Sequence, residues 1–327
     1  MQKKRTYRAT FYEPGDLTAW NELVAGSRNG TFLFDRGFMD YHAHRFTDAS
    51  VVVRIDGKMV AGLPAHLGEN RVRSHGGLTY GGFFYADGLR IGEVFAAFAA
   101  VLELLHESGH RVLDLKPVPA IYHKMPSDEI LQALFYAGAR LTDRQALLVV
   151  DNRSRIAVPK SRRQAIMRGV RNGLEIRETD DLAAFWDQIL VPNLQRRYQT
   201  LPVHSLGEIS LLRQRFPQQI RQFNVYEQGR IVAGTTVFET EMAAHPQYVS
   251  AVEDRSRNGA VDFLYDHLLN EVFPHKRYFD FGTSALEGNK MSADLVFWKE
   301  QFGGRAIVQD RYEVDTANYQ PLHEILV

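Results

Sequence analysis

The sequence predicts an α/β protein with mixed sheets, made of two tandem domains that repeat one order of strands and helices. The chain has 327 residues, of which 45% are hydrophobic and 24% charged, an ordinary globular profile with length for two domains. A β-hairpin pattern occurs twice, 172 residues apart, and the same elements follow each copy in the same order. Repeats on this scale are typical of duplicated domains.

The two hairpins share their turn and the start of their second strand. "VVVRIDGKMVAGLPAHL" begins at residue 51, and "FNVYEQGRIVAGTTVFE" begins at residue 223. Runs rich in β-branched residues around a glycine turn indicate a hairpin. Gly57 and Gly229 occupy the turns, and Val60-Ala61-Gly62 matches Val232-Ala233-Gly234.

Three further elements follow each hairpin. They are an amphipathic helix (92–109 and 260–273), a short strand (111–117 and 277–283), and a helix with a glycine after it (134–141 and 299–306). In the strands, Asp114 and Asp280 occupy matching positions. Asp280 begins an Asp-Phe-Gly triplet, but the chain lacks the glycine-rich loop, Val-Ala-Ile-Lys strand and His-Arg-Asp loop of kinases. The triplet is therefore interpreted as a strand end and not as an ATP site.

A segment rich in basic residues lies between the two halves. Residues 153–178 contain eight basic side chains: Arg153, Arg155, Lys160, Arg162, Arg163, Arg168, Arg171 and Arg177. We expect a first domain over 1–152, a basic linker with a helix over 153–178, and a second domain over 179–327. The linker could bind the 3′-phosphate of CoA, a tRNA backbone, or an anionic glycan or lipid carrier, or it could be a solvated helix face.

Composition excludes several classes of function. Lys+Arg and Asp+Glu are equal at 39 each, so no global field attracts nucleic acid or an anionic membrane. The absence of cysteine excludes thiol catalysis, and the histidines lack metal-ligand spacing, so no metal is expected. No apolar run predicts a signal peptide or a transmembrane segment, and a cytoplasmic location is expected.

Four segments carry a likeness to known proteins. They are "KPVPAIYHKMPSDEILQALFYAGARL" (116–141), "PVHSLGEISLLRQRFP" (202–217), "YVSAVEDRSRNGAVDFLYDHLL" (248–269), and "YFDFGTSALEGNK" with "LVFWKEQFGGRA" (278–306). In order, these segments resemble the tandem acyl-CoA N-acyltransferase (GNAT) proteins related to the Fem-type peptidoglycan-bridge transferases. The resemblance implies two GNAT-like domains and transfer of an acyl or aminoacyl group to an amine, in cell-envelope or polysaccharide synthesis.

The resemblance also implies where an acyl donor binds. In GNAT enzymes a loop reading Gln/Arg-x-x-Gly-x-Gly/Ala holds the CoA pyrophosphate at a helix N-terminus. Here the candidate loop is 255–260, where Arg255 and Ala260 fit the pattern, and the candidate donor-binding residues are Arg255, Arg257, Asn258, Gly259 and Ala260. Asn258 stands in place of a family glycine, which keeps aminoacyl-tRNA, the donor of the Fem-type branch, as the alternative to acyl-CoA. The matching place in the first half, 83–91, has no such loop, so donor binding is expected in the second half.

The other candidate site residues lie near the second-half strand end, where open α/β sheets bind ligands. The catalytic candidates are Asp280 to orient the amine, Tyr248 to protonate the leaving group, and Lys299 to hold a carboxylate or phosphate. The substrate-binding candidates are Gly282, Ser284 and His204. The neighbour of His204, Ser205, fits a capping box with Glu208, which explains it without chemistry.

Three functions therefore remain open. The first is an acyl-CoA-dependent N-acyltransferase acting on an amino sugar, amino acid or peptide, with a small molecule, glycan or peptide as acceptor. The second is an aminoacyl-tRNA-dependent transferase of the same fold. The third is a non-catalytic binding or scaffold protein.

Overall fold

A computed structural model describes residues 6–69, 71–74, 76–252 and 258–325. The strands are β1 (Tyr7–Phe11), β2 (Val51–Ile55), β3 (Lys58–Leu63), β4 (Ala65–Leu67), β5 (Val72–Ser74), β6 (Phe84–Tyr85), β7 (Val112–Leu115), β8 (Arg140–Asp151), β9 (Glu175–Thr179), β10 (Ile220–Glu227), β11 (Arg230–Glu239), β12 (Ala243–Ala251), β13 (Tyr278–Thr283), β14 (Ala285–Leu286), β15 (Lys290–Met291) and β16 (Arg305–Asp315). The helices are α1 (Leu17–Gly26), α2 (Arg36–Met39), α3 (Ile91–Glu107), α4 (Glu129–Tyr136), α5 (Lys160–Arg171), α6 (Ala183–Phe185), α7 (Val191–Tyr198), α8 (Leu206–Arg215), α9 (Ala260–His267), α10 (Ala293–Glu300) and α11 (Pro321–Glu324). Two π-helical segments, Trp186–Leu190 and Leu268–Val272, continue α6 and α9.

The chain forms two compact units. The first comprises Met1–Gln145 and Val308–Val327, and the second comprises Ala146–Ile307. The predicted linker, 153–178, lies inside the second unit: α5 packs on α9 through its buried face, and β9 pairs with β10. The predicted second domain ran to residue 327, whereas residues 308–327 belong to the first unit, where β16 pairs with β7.

In the first unit, β1, β2, β3 and β6 form one antiparallel sheet, and β5 and β7 pair in parallel in another. The helix predicted over 92–109 is α3; nine of its residues are buried, and eight of these belong to the hydrophobic core of this unit. The middle of this helix is apolar on nearly all sides, which is typical of a helix buried in a core.

In the second unit the strand order is β8, β13, β12, β11, β10 and β9. β12 and β13 are parallel, and the other neighbours in this order are antiparallel. The helix predicted over 260–273 is α9 with its π-helical continuation, and the strand predicted over 277–283 is β13. The core contains Leu264 and Leu268 from this helix packed with Phe279 from the strand.

The repeated hairpins are confirmed as β2–β3 and β10–β11. Asp56 and Gly57 both have positive φ, as do Gln228 and Gly229, which is the geometry of a two-residue hairpin turn. The repeated Val-Ala-Gly also has a packing reason. A Cβ on Gly62 would lie 2.6 Å from the ring of Phe84, so an aromatic side chain rests on the glycine.

The described residues contain no helix with both the length and the apolar character needed to cross a bilayer.

Candidate functional site

The second unit has an opening between β12 and β13. The two strands pair at only two positions, Ala243 with Tyr278 and Ala244 with Phe279. Beyond these, β12 continues to Ala251 paired with β11, and β13 continues to Thr283 paired with β8. The two strands therefore separate after these pairs, and beyond them the edge of β12 that faces β13 is not paired with that strand. Ligands of open α/β sheets bind at such places, outside the carboxyl ends of parallel strands.

Asp280 lies where the strands part, and its side chain is only 1% exposed. Its Oδ1 accepts a 2.7 Å hydrogen bond from the Gly282 N–H. His245, on β12, brings Nδ1 to 3.0 Å from the Asp280 carbonyl oxygen and 3.3 Å from Oδ2. The backbone of β13 and a histidine of β12 thus hold this carboxylate.

Gly282 makes room for that histidine. Its φ is +70°, in the region that favours glycine, and a Cβ at this position would lie 3.1 Å from Cε1 of His245. The irregular register between Asp280 and Thr283 places this turn of the backbone at the end of β13. Glycine is therefore needed for both the backbone conformation and the approach of the imidazole.

The buried side chain of Lys299, on α10, binds the backbone at the same strand end. Its Nζ donates to the carbonyl oxygens of Gly282, at 2.9 Å, and Thr283, at 2.7 Å. Burial lowers the pKa of Lys299 to about 8, and the charge of Asp280 offsets part of that effect. The ammonium group is thus a cation held close to the site by neutral acceptors.

Ser284 follows directly after β13. Its side chain is buried, and its Oγ has no hydrogen-bond partner among the described residues. Its carbonyl oxygen accepts the N–H of Ser292 at 2.9 Å, so the backbone at this point is fixed. A buried hydroxyl without a partner is uncommon and could bond to a ligand.

Tyr248 and His204 form a second cluster in this unit. The Tyr248 hydroxyl lies 2.5 Å from Nδ1 of His204, and the Tyr248 ring packs edge-on against Trp186. The capping box predicted beside His204 is confirmed, because Ser205 and Glu208 exchange side-chain to backbone hydrogen bonds at the start of α8.

The candidate donor loop is only partly described, since Arg255 and Arg257 lie outside the described residues. At the start of α9, Oδ1 of Asn258 accepts the Ala260 N–H at 3.0 Å. Gly259 has φ +73°, and a Cβ there would lie 2.6 Å from the Ala165 carbonyl oxygen of α5. Asn258 therefore occupies one N–H of the helix start, and α5 lies directly against Gly259.

The basic helix α5 is joined to the same region by a charged pair. Arg162 forms an ion pair with Asp262, in the first turn of α9, and its guanidinium lies 5.8 Å from the centre of the Trp298 ring. Trp298 Nε1 donates to the same carboxylate at 2.8 Å. Arg162 is therefore engaged within the unit, whereas Arg163 and Arg171 are exposed.

The counterpart of this strand end in the first unit is filled by its own chain. Arg311 donates two hydrogen bonds to the carboxylate of Asp114, at 2.7 and 2.8 Å. Lys116, two residues further on, donates to the Thr79 carbonyl oxygen, and its own carbonyl accepts the Gly81 N–H. The carboxylate and the lysine at this strand end are thus bonded to other groups of the same unit, and donor binding in the second half stays a prediction.

The structure brings four of the predicted residues together at the end of β13, namely Asp280, Gly282, Ser284 and Lys299. Tyr248 and His204 form a separate hydrogen-bonded pair. His245 was missed, since it reaches Asp280 through a side-chain contact between residues 35 positions apart, and no local motif marks that contact. Within the described ranges, no group of three or more His, Cys, Asp or Glu side chains could hold a metal ion.

No protein-family model matches the chain, and no curated protein sequence matches it. Several solved structures do. The match to FemX covers 98% of this chain and 99% of that chain, with 10% identity and a TM-score of 0.66. The match to L-PGS from Bacillus licheniformis covers 97% and 98%, with 12% identity and a TM-score of 0.58. A C-terminal domain assigned to a lysylphosphatidylglycerol synthetase of Agrobacterium fabrum matches over 80% and 84%, with 14% identity and a TM-score of 0.55.

Identities this low establish a common fold and not a common activity. The matches to FemX and L-PGS extend over nearly the whole of both chains, so both halves of the duplication are included. The chain therefore has the FemX-like fold of two tandem GNAT-like domains, as the sequence predicted.

Proposed function

We propose that the protein is an N-acyltransferase that transfers an acyl group from acyl-CoA to the amine of an amino sugar, an amino acid or a peptide. The observation that carries the proposal is the opening between β12 and β13, with buried charged side chains at its edge. The fold supports a transferase of this superfamily, and the lack of cysteine suits direct transfer without a covalent enzyme intermediate.

In this proposal the donor lies along the free edge of β12. A backbone N–H of this edge would donate to the thioester carbonyl and stabilise the oxyanion that forms when the amine attacks. Holding donor and amine together supplies much of the acceleration, because the reaction becomes effectively intramolecular. Tyr248 would give a proton to the departing thiolate.

Lys299 would act through its charge. A buried ammonium close to the end of β13 favours an anionic group of the donor or of the acceptor nearby. Ser284, whose buried Oγ has no partner in the described chain, would donate to that ligand or accept from it. Gly282 keeps this strand end free of a side chain, which leaves room beside the imidazole of His245.

Aminoacyl-tRNA is the second candidate donor, and two observations favour it. Asn258 occupies the Ala260 N–H that a pyrophosphate would need. Lys160, Arg163 and Arg171 of α5 are exposed and form no ion pair within the described chain, so they could contact a phosphate backbone. Both donors are intracellular molecules, and we place the reaction in the cytoplasm.

Calorimetric titration separates the two donors. Acetyl-CoA and desulfo-CoA are titrated into the protein, and release of free thiol is then followed with glucosamine, lysine and short peptides as acceptors. Binding together with amine-dependent thiol release supports the proposal, and no heat at millimolar ligand removes acyl-CoA as the donor.

A gel shift with charged tRNA tests the second candidate. The charge reversals belong at Arg163 and Arg171, which are exposed, and not at Arg162, whose loss would break its pair with Asp262. A shift that these reversals abolish supports aminoacyl-tRNA. If neither donor binds, both transferase proposals fail.

A further inference from the structure

We propose that His245 is the general base of the transfer reaction, and that Asp280 positions it. This inference rests on the proposed N-acyl transfer and names the group that accepts the proton of the attacking amine. His245 belongs to β12 and lies beside Asp280 just past the last paired position of the two parallel strands. The imidazole therefore stands at the mouth of the opening in which donor and amine would meet.

The surroundings of His245 fix which ring nitrogen carries the proton. Nδ1 lies 3.0 Å from the carbonyl oxygen of Asp280 and 3.3 Å from its Oδ2, and a carbonyl oxygen can only accept a hydrogen bond. Nδ1 is therefore the donor, and in the neutral ring the lone pair is on Nε2. A lone pair at Nε2 is what a base at this position requires.

The ring is also partly accessible. The His245 side chain is 13% exposed, and Nε2 has no hydrogen-bond partner within the described chain. Gly282 provides the space for the ring, since any larger residue at that position would place a Cβ 3.1 Å from Cε1. The imidazole is thus held on one side and left available on the other.

The other titratable groups nearby are less suited to act as the base, because each is buried or already hydrogen-bonded. Asp280 is 1% exposed, with one oxygen bonded to the Gly282 N–H and the other facing His245. Lys299 donates to two carbonyl oxygens and is cationic at neutral pH. The Tyr248 hydroxyl is bonded to His204. A positioned base contributes about 10²–10⁴-fold to rate, and the Asp280–His245 pair has the orientation for it.

The step balances as follows. The amine nitrogen forms a bond to the carbonyl carbon of the thioester, and one N–H proton passes to Nε2 of His245. The C–S bond then breaks, the electron pair leaves on sulfur, and the thiolate takes up one proton from the Tyr248 hydroxyl, which solvent then reprotonates. The products are the amide and the free thiol, and His245 releases its proton to solvent before the next turnover. The Asp280 carboxyl group, whose Oδ2 lies 3.3 Å from Nδ1, faces the imidazolium while it exists.

The experiment compares the protein with two substitutions at this position, with acetyl-CoA as donor and the amine panel as acceptors. His245→Asn keeps a donor near the position of Nδ1 but has no basic nitrogen, so kcat is expected to fall by about 10²-fold or more with the melting temperature preserved. His245→Ala is expected to lose activity similarly and to recover part of it in added imidazole. His275→Asn, at an exposed histidine of the same unit, is the matched control and retains activity.

A second measurement does not depend on turnover. Long-range ¹H–¹⁵N correlation spectra of protein labelled at histidine are expected to give the neutral Nδ1–H form for His245, with its signal assigned by its loss in His245→Asn. The Asp280→Asn variant tests positioning: kcat is expected to fall while KM for acetyl-CoA changes little.

The possible results distinguish a wrong role for His245 from a wrong proposed function. Absence of any transfer by the unaltered protein overturns the proposed function and the inference together. Transfer that His245→Asn leaves unchanged overturns the inference alone, and so does an Nε2–H form of the ring in the spectra. Loss of transfer with imidazole rescue of His245→Ala supports both.

Discussion

The buried ammonium of Lys299 makes the free energy of unfolding rise with pH. A lysine whose pKa is raised by an ion pair has the opposite effect. Burial lowers the pKa of Lys299 from 10.5 to about 8. Below pH 8 both the folded and the unfolded chain keep this proton, and the group adds no pH dependence. Between pH 8 and 10.5 only the unfolded chain keeps it, so the free energy of unfolding rises with pH.

The size of this effect follows from the shift. One pKa unit corresponds to about 1.4 kcal/mol, so the displacement from 10.5 to about 8 amounts to about 3 kcal/mol over the whole range. Substitution by methionine, which has a similar length and no charge, removes this pH dependence. It also leaves the carbonyl oxygens of Gly282 and Thr283 without their donor, at a cost of about 1–3 kcal/mol each that does not vary with pH.

Urea denaturation, followed by tryptophan fluorescence between pH 7 and 10.5, measures the effect. Two of the three tryptophans, Trp186 and Trp298, lie in the second unit. The free energy of unfolding of the native protein minus that of Lys299→Met is expected to increase by about 3 kcal/mol across this range. Other titrating groups, such as Tyr265, whose pKa burial raises, are common to both proteins and cancel in the difference.

Lys290→Met is the control, because Lys290 is an exposed lysine in β15. Its difference from the native protein is expected to stay flat with pH. If the Lys299→Met difference is equally flat, or falls as the pH rises, the ammonium is not desolvated in the folded protein and the reasoning about its charge is wrong.

Three further substitutions test other parts of the site. Gly282→Ala should destabilise the protein by about 1–2 kcal/mol from its φ of +70° and lower transfer activity by displacing the imidazole, whereas Gly57→Ala, at φ +80° with nothing nearby, should lower only the melting temperature. Asp262→Asn should cost about 3–5 kcal/mol in chemical denaturation, because it leaves the largely buried guanidinium of Arg162 without its counter-charge; a loss below 1 kcal/mol would mean that the pair is solvated. Asn258→Gly should free the Ala260 N–H and raise the affinity for desulfo-CoA in calorimetry, and an unchanged or weaker affinity would count against acyl-CoA as the donor.

The features that the sequence predicted correctly are those encoded locally. The hairpin at 51–67 is marked by β-branched runs around Asp56-Gly57, and both turn residues adopt the positive φ that such a turn requires. The capping box at Ser205 is likewise contained within four residues. Because the repeat doubled the hairpin signal and the elements after it, the duplicated fold could be predicted although no single motif is specific.

What the sequence could not supply depends on contacts between distant residues. Charge alone suggested a linker at 153–178, but its helix and strand are integrated in the second unit because Ala165, Ile166 and Gly169 pack against α9. The contact between His245 and Asp280 depends on where two parallel strands part, and periodicity carries no information about that point.

The two halves of the duplication show why the second strand end, and not the first, is the candidate site. Asp114 and Asp280 occupy equivalent places, yet their partners differ in kind. Arg311 neutralises Asp114 with two parallel hydrogen bonds, a strong charge-assisted arrangement that uses both oxygens of this buried carboxylate. Asp280 instead faces an imidazole, whose Nδ1 lies 3.3 Å from the carboxylate and whose second nitrogen is left for another molecule. The same strand position thus carries a structural ion pair in one unit, and in the other a carboxylate beside a partly exposed histidine at an opening.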